Sequence, residues 1–125
     1  MAEKRSATVI HPSAQVHSTV GEGTYVGAGA IIAPNATVGR HAIVNFHASI
    51  GHDAVIGDFA QIGPGARILG RAIVGEGATV GANAVLYPGV ELAEGSVLGA
   101  NSLGLSHLES GHTAMGIPAK VVYRQ

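Results

Sequence analysis

The sequence predicts an all-β fold, a parallel β-helix of six-residue repeats filling one domain, and three observations carry that prediction. The first is a column of aliphatic residues. Stepping by six from Val20 meets Val26, Ile32, Val38, Val44, Ile50, Ile56, Ile62, Ile68, Val74, Val80, Leu86, Leu92 and Leu98, fourteen positions without an exception. The second is a pair of companion columns: glycine follows the aliphatic at 21, 27, 39, 51, 57, 63, 75, 81 and 99, and the residue four after it is Ala, Ser or Thr everywhere but Val90. The third is composition. The chain is 46% hydrophobic but 4% aromatic, with 19 glycines, where average usage of about 7% would give about nine. A core without aromatic bulk must be a regular lattice of small aliphatics.

A helix would repeat every 3.6 residues and a simple strand every 2. Six fits short strands joined by tight corners. The aliphatic points inward, the small residue fits a crowded position, and the glycine is expected to supply backbone freedom. From the N-terminus, Ile10 and Val16 keep the six-residue step, but Val16 to Val20 is four. The first coil is therefore expected to be irregular at His17-Ser18-Thr19. Regular coils run from about residue 8 to 100. After Leu98 the period fails, and 101–125 reads as an irregular C-terminal segment.

A chain of 125 residues suits a single domain. Its net charge is −1 and its seven Lys and Arg are scattered, so no footprint for a nucleic acid backbone is present. No apolar run reaches the roughly 18 residues that span a bilayer. The start, Met1-Ala2-Glu3-Lys4-Arg5, has no apolar stretch behind its charges, so no signal peptide is expected and the location is read as cytoplasmic. With no cysteine, thiolate metal ligands and a Cys acyl intermediate are excluded. A charged fraction of 12%, about half the usual ~25%, points to surface buried in an oligomer.

Chemistry is sought where the repeat carries residues it does not need. The richest stretch is Asn45-Phe46-His47-Ala48-Ser49-Ile50-Gly51-His52-Asp53, with His41 just upstream. A carboxylate beside an imidazole fixes its tautomer, as a general base requires. Neighbours on a straight strand point to opposite faces, so His52 and Asp53 can meet only at a corner. Gly51 suits one.

The pattern aliphatic-Gly-x-small-x-x over residues 8 to 120 resembles the hexapeptide-repeat acyltransferases. The resemblance implies a left-handed parallel β-helix with three hexads to a coil, so that residues three hexads apart stack, and association as a homotrimer. Ile10-His11-Pro12-Ser13-Ala14 is similar to the family's first turn, and Gly116-Ile117-Pro118-Ala119-Lys120 to its closing signature. Asn45, His52-Asp53 and Ile68-Leu69-Gly70 together resemble one subfamily, the acetyl-CoA-dependent sialic acid O-acetyltransferases and N-acetyltransferases of UDP-4-amino sugars. That resemblance makes His52 the catalytic base and Asp53 the acid that raises its basicity. Asn45 takes either a catalytic or a corner hydrogen-bonding role. Gly70, three hexads after His52, is either an oxyanion donor through its N–H or scaffold. Acetyl-CoA, the expected co-substrate, would lie at a subunit boundary against Gln61, Gly70, Ala82, Ala100 and Lys120. The expected acceptor is a sugar or nucleotide-sugar, and Ile68-Leu69-Gly70 with the Gly-x-Pro-Ala tail is shared by serine acetyltransferases. Full-length members of the subfamily carry an N-terminal α/β domain, which is not expected here.

Two other readings compete. The γ-carbonic anhydrases share the fold and hold a metal on three His. His47 and His52 have the five-residue spacing of two such ligands, and His11 lies six hexads before His47. The slip between Val16 and Val20, however, sets His11 over position 45. The third reading is a non-catalytic structural β-helix.

Overall fold

The computed structural model describes residues 6–125; the basic start Met1 to Arg5, which carries the expectation of no signal peptide, lies outside them. The chain winds into a three-sided parallel β-solenoid of two-residue strands. From Tyr25 to Leu103 each strand pairs with the one three further along, so a regular coil takes three hexads. The first face stacks Val9–Ile10, Tyr25–Val26, Ile43–Val44, Gln61–Ile62, Thr79–Val80, Val97–Leu98 and Thr113–Gly116. The second stacks Gln15–Val16, Ile31–Ile32, Ser49–Ile50, Arg67–Ile68, Val85–Leu86 and Leu103–Gly104. Thr37–Val38, Val55–Ile56, Ile73–Val74 and Glu91–Leu92 make the third. Between faces run three edges of stacked corners: the first edge between faces one and two, the second between two and three, the third between three and one.

Two columns fill the interior. One is the aliphatic series, with Ile32, Ile50, Ile56, Ile62, Ile68, Leu86, Leu92 and Leu98 fully buried; the other is the small series, Ala at every sixth position from 30 to 84. Alternating large and small inward residues let three sheets meet around a narrow axis at crystal-like density. Burying one Ile or Leu stabilises the fold by roughly 1.5–3 kcal/mol.

The corners correct one expectation. Glycines after the aliphatic are not there for backbone freedom, because their φ values are ordinary. They are there because the next coil comes too close: a Cβ on Gly51 would sit 2.8 Å from the Gly70 nitrogen and 2.9 Å from the Ile68 oxygen. The left-handed φ lies two residues on, at Asn35, His41, His47, Asp53, Phe59, Arg71, Asn83 and Asn101, and at Gly23, Gly29, Gly65, Gly77, Gly89 and Gly95 in the same column. Each corner from Gly27 to Ser102 is thus a type II turn, whose third residue needs a positive φ.

The slip at His17-Ser18-Thr19 is real. Ile10 pairs with Val26 and Val16 with Ile32, each two positions short of three hexads, whereas Val20 bridges Val38 at the full three. The C-terminal stretch read as irregular contains further strands. Leu103–Gly104 adds one more regular step to the second face, with Gly104 where an aliphatic would stand. The coil then shortens by two positions, Leu108 bridging Leu92 and Thr113 pairing with Val97. Thr113–Gly116 turns through a cis Ile117-Pro118 bond into the antiparallel Ala119–Tyr123. Shortening hides that step from a six-residue ruler.

Candidate active site

Both His52 and Asp53 sit on the second edge, at the corner after Ser49–Ile50. Asp53 is the left-handed residue of that turn, with φ of 60°. The reversal brings its carboxylate back to its neighbour: His52 Nδ1 and Asp53 Oδ2 are 3.1 Å apart. A carboxylate only accepts hydrogen bonds, so Nδ1 donates to Asp53, and in the neutral imidazole the lone pair is on Nε2. Both side chains are more than half exposed in the single chain, so the pair contributes little to stability.

Gly70 lies one coil above, since Arg67 and Ile68 pair with Ser49 and Ile50. It has no room for a side chain. An added Cβ would stand 2.5 Å from His52 Nε2 and 2.8 Å from Cε1, so the imidazole occupies the space that Gly70 leaves open. Among the described residues the Gly70 N–H has no hydrogen-bond partner, while its carbonyl accepts from Gly89 at 3.1 Å. A base nitrogen and an uncommitted N–H stacked one coil apart can take a proton from a nucleophile and hold a developing oxyanion.

The remaining candidates lie elsewhere on the same chain. Asn45 is on the first edge, at the corner after Ile43–Val44, with the strand Ser49–Ile50 between it and His52. Its carboxamide oxygen accepts the Phe46 N–H at 2.8 Å. Ala82 and Ala100 occupy the first edge too, at the second position of their turns, and neither N–H is donated to another described residue. Gln61 faces outward from the first face, and Lys120 is exposed on the C-terminal strand. The chain brings His52, Asp53 and Gly70 together, and holds Asn45, Ala82 and Ala100 on a different edge.

Other histidines have local roles. His41 stacks on Phe59, three hexads on, with ring centroids 5.3 Å apart and an interplanar angle of 14°, and its ring lies against Gly23. The His47 ring lies against Gly29. His11 is aligned with Gly27 and Asn45 by the pairing of Ile10 with Val26 and of Val26 with Val44. It is therefore out of line with His47, and His47 and His52 are on separate edges. The three-hexad spacing from 41 to 59 was the sequence signal for the stacked pair.

Three cavities, of about 440, 40 and 170 Å³, lie at the C-terminal end against residues such as Glu94, Leu105, His107 and Arg124, and none of the three touches His52. The edge bearing His52 is convex. A substrate there needs a second surface to close around it.

The chain matches the family described as Bacterial transferase hexapeptide (six repeats) over residues 17–52, 53–87 and 71–103. It belongs to that family. Among solved structures it is similar to PerB from Caulobacter crescentus, solved with CoA and GDP-perosamine, at 34% identity and a TM-score of 0.92 over 94% of this chain and 57% of that one. A variant of perosamine N-acetyltransferase from the same bacterium matches at 33% and 0.93, covering 96% and 58%. The acetyltransferase domain of PglB from Neisseria gonorrhoeae, solved with acetyl coenzyme A, matches at 29% and 0.92, covering 94% and 58%. The chain thus spans a little over half the length of these relatives. No curated protein matches it. Among the described residues no helix is long and apolar enough to cross a membrane.

Proposed function

We propose that this hexapeptide transferase moves an acetyl group from acetyl-CoA to the amine of a nucleotide-linked sugar in the cytoplasm, at sites formed between the subunits of a homotrimer. The observation that carries the reading is the stacking of Gly70 on His52, with Asp53 fixing the imidazole from the other side. Solved relatives that hold CoA, acetyl-CoA or GDP-perosamine support the choice of substrates.

In this reading the neutral sugar amine attacks the thioester carbonyl and a C–N bond forms. The amine proton passes to His52 Nε2, while Asp53 Oδ2 keeps the Nδ1 proton in place and steadies the imidazolium. The carbonyl oxygen, now negative, accepts from the Gly70 N–H. Collapse breaks the C–S bond, and the proton on Nε2 leaves with the thiolate. No covalent enzyme intermediate is needed, consistent with a chain without cysteine.

The division of the candidates between two edges supports the subunit boundary. Ala82 and Ala100 offer free N–H groups on the first edge, where they cannot reach a thioester beside His52 of their own chain. In the proposed three-fold ring the first edge of one copy is set against the second edge of the next, which completes the site. The test is thiol release from acetyl-CoA against a panel of nucleotide-linked amino sugars, free amino sugars and amino acids. Release with a nucleotide-linked amino sugar is expected. Release with serine alone, or with no acceptor in the panel, would overturn the reading.

A further inference from the structure

All five aromatic residues of this chain, Tyr25, Phe46, Phe59, Tyr87 and Tyr123, are on its surface. Exposed aromatics on a protein whose core uses none are available as contact surfaces for a ligand. Phe59 has one within the chain, its stack on His41. Phe46 has no stacked partner: it is 49% exposed and lies perpendicular to the neighbouring His47 ring, at 5.8 Å and 89°. Its backbone is nevertheless held on both sides, the N–H by Asn45 Oδ1 at 2.8 Å and the carbonyl by the Gly65 N–H at 3.0 Å.

Its place in the column matters. The second turn position of the first edge reads Ala28, Phe46, Pro64, Ala82 and Ala100 going up the solenoid. Small side chains at 82 and 100 leave room along the upper edge, and Phe46 is the large one below. The corners of Phe46 and His52 are consecutive in one coil, so they differ in height by a third of the ~4.8 Å strand spacing, about 1.6 Å. Rotation about an axis parallel to the solenoid preserves height. In the proposed ring, with its axis parallel to the solenoid, the Phe46 corner of one copy therefore stands within about 1.6 Å of the height of His52 of the next.

We propose that Phe46 is a specificity-determining residue for the acceptor, the wall on which the apolar C–H face of its sugar ring lies opposite His52 of the neighbouring copy. This rests on the function proposed above. The cofactor groups Ala82 and Ala100 stand two and three coils above Phe46, and Gly70 stands one coil above His52, so the thioester comes down from the C-terminal side. Phe46 is on the side from which the nucleophile must come. Asn45 is then a positioning residue, its carboxamide fixing the corner that presents the ring.

The experiment is steady-state kinetics of Phe46→Ala and Phe46→Tyr with the nucleotide-linked amino sugar that supports the fastest transfer. Phe46→Ala is expected to raise the acceptor KM about tenfold, the upper range for an aromatic contact, with the acetyl-CoA KM and the melting temperature unchanged. Phe46→Tyr should restore the wild-type acceptor KM. Co-expression of Phe46→Ala with His52→Ala chains should regenerate sites with the wild-type KM, because one copy supplies His52 and its neighbour Phe46. An unchanged acceptor KM, a raised acetyl-CoA KM instead, or mixed trimers with only the raised acceptor KM would each overturn the proposal while leaving the transfer reaction standing. No transfer by the wild type with any acceptor would remove the functional reading itself.

Discussion

Replacing Gly70 by alanine tests the core of the site with one methyl group. The new Cβ would lie 2.5 Å from His52 Nε2 and 2.8 Å from Cε1, against ordinary contacts of about 3.5 Å or more. Gly70 has an ordinary φ, so its backbone accepts alanine and the imidazole must yield by about 1 Å. Displacement on that scale is expected to lower kcat by about 10², roughly 2.7 kcal/mol in the barrier. Stability should hardly change, because His52 is a corner side chain outside the hydrophobic core; an effect within about 0.5 kcal/mol is expected. Gly51→Ala is the matched control. Its Cβ would meet the Gly70 nitrogen at 2.8 Å and the Ile68 oxygen at 2.9 Å, backbone atoms that cannot swing away. It should destabilise by about 1–3 kcal/mol and lower the melting temperature by several degrees. The assays are thiol release at saturating substrates and thermal melts of both variants. Wild-type kcat in Gly70→Ala, or a melting loss equal to that of Gly51→Ala, would refute the reasoning.

Further expectations follow from the same geometry. Pro64 and Pro88 already occupy the turn position of Ala82, so Ala82→Pro removes one outward N–H without disturbing the corner; calorimetry should show acetyl-CoA binding weakened about three- to tenfold, with the melting temperature preserved. Ile62→Ala, at a fully buried position, should lose about 2–5 kcal/mol in denaturant unfolding, and Ala66→Leu about 1–3 kcal/mol by overpacking. Sedimentation should find one species of three times the 12.5 kDa chain; a stable monomer that still turns over would contradict the shared site.

The period made the scaffold legible, because a solenoid repeats one packing problem and solves it with the same residue types each time. Legibility ended where that problem changed. The shortened coil around Leu105 to Thr113 brought partners two positions closer in sequence than three full hexads, and Gly104 broke the aliphatic column while remaining in the strand. Corner glycines were visible, but the reason for them was not: close approach of the next coil is invisible along a single chain. His52, Asp53 and Gly70 could be placed with a ruler of three hexads. The separation of Asn45 from His52 needed the faces as well, since the short stretch between them spans one whole side of the triangle. Phe46 carried no motif, and its interest arises only from being the large residue in an outward column.

The most direct test of the central claim is the initial rate of CoA release by wild-type and His52→Ala protein, measured side by side with acetyl-CoA and the best nucleotide-linked amino sugar. A general base at Nε2 predicts a rate about 10² to 10⁴ lower in the variant, with acetyl-CoA affinity retained. Equal rates would contradict the assignment of His52 as the group that takes the proton.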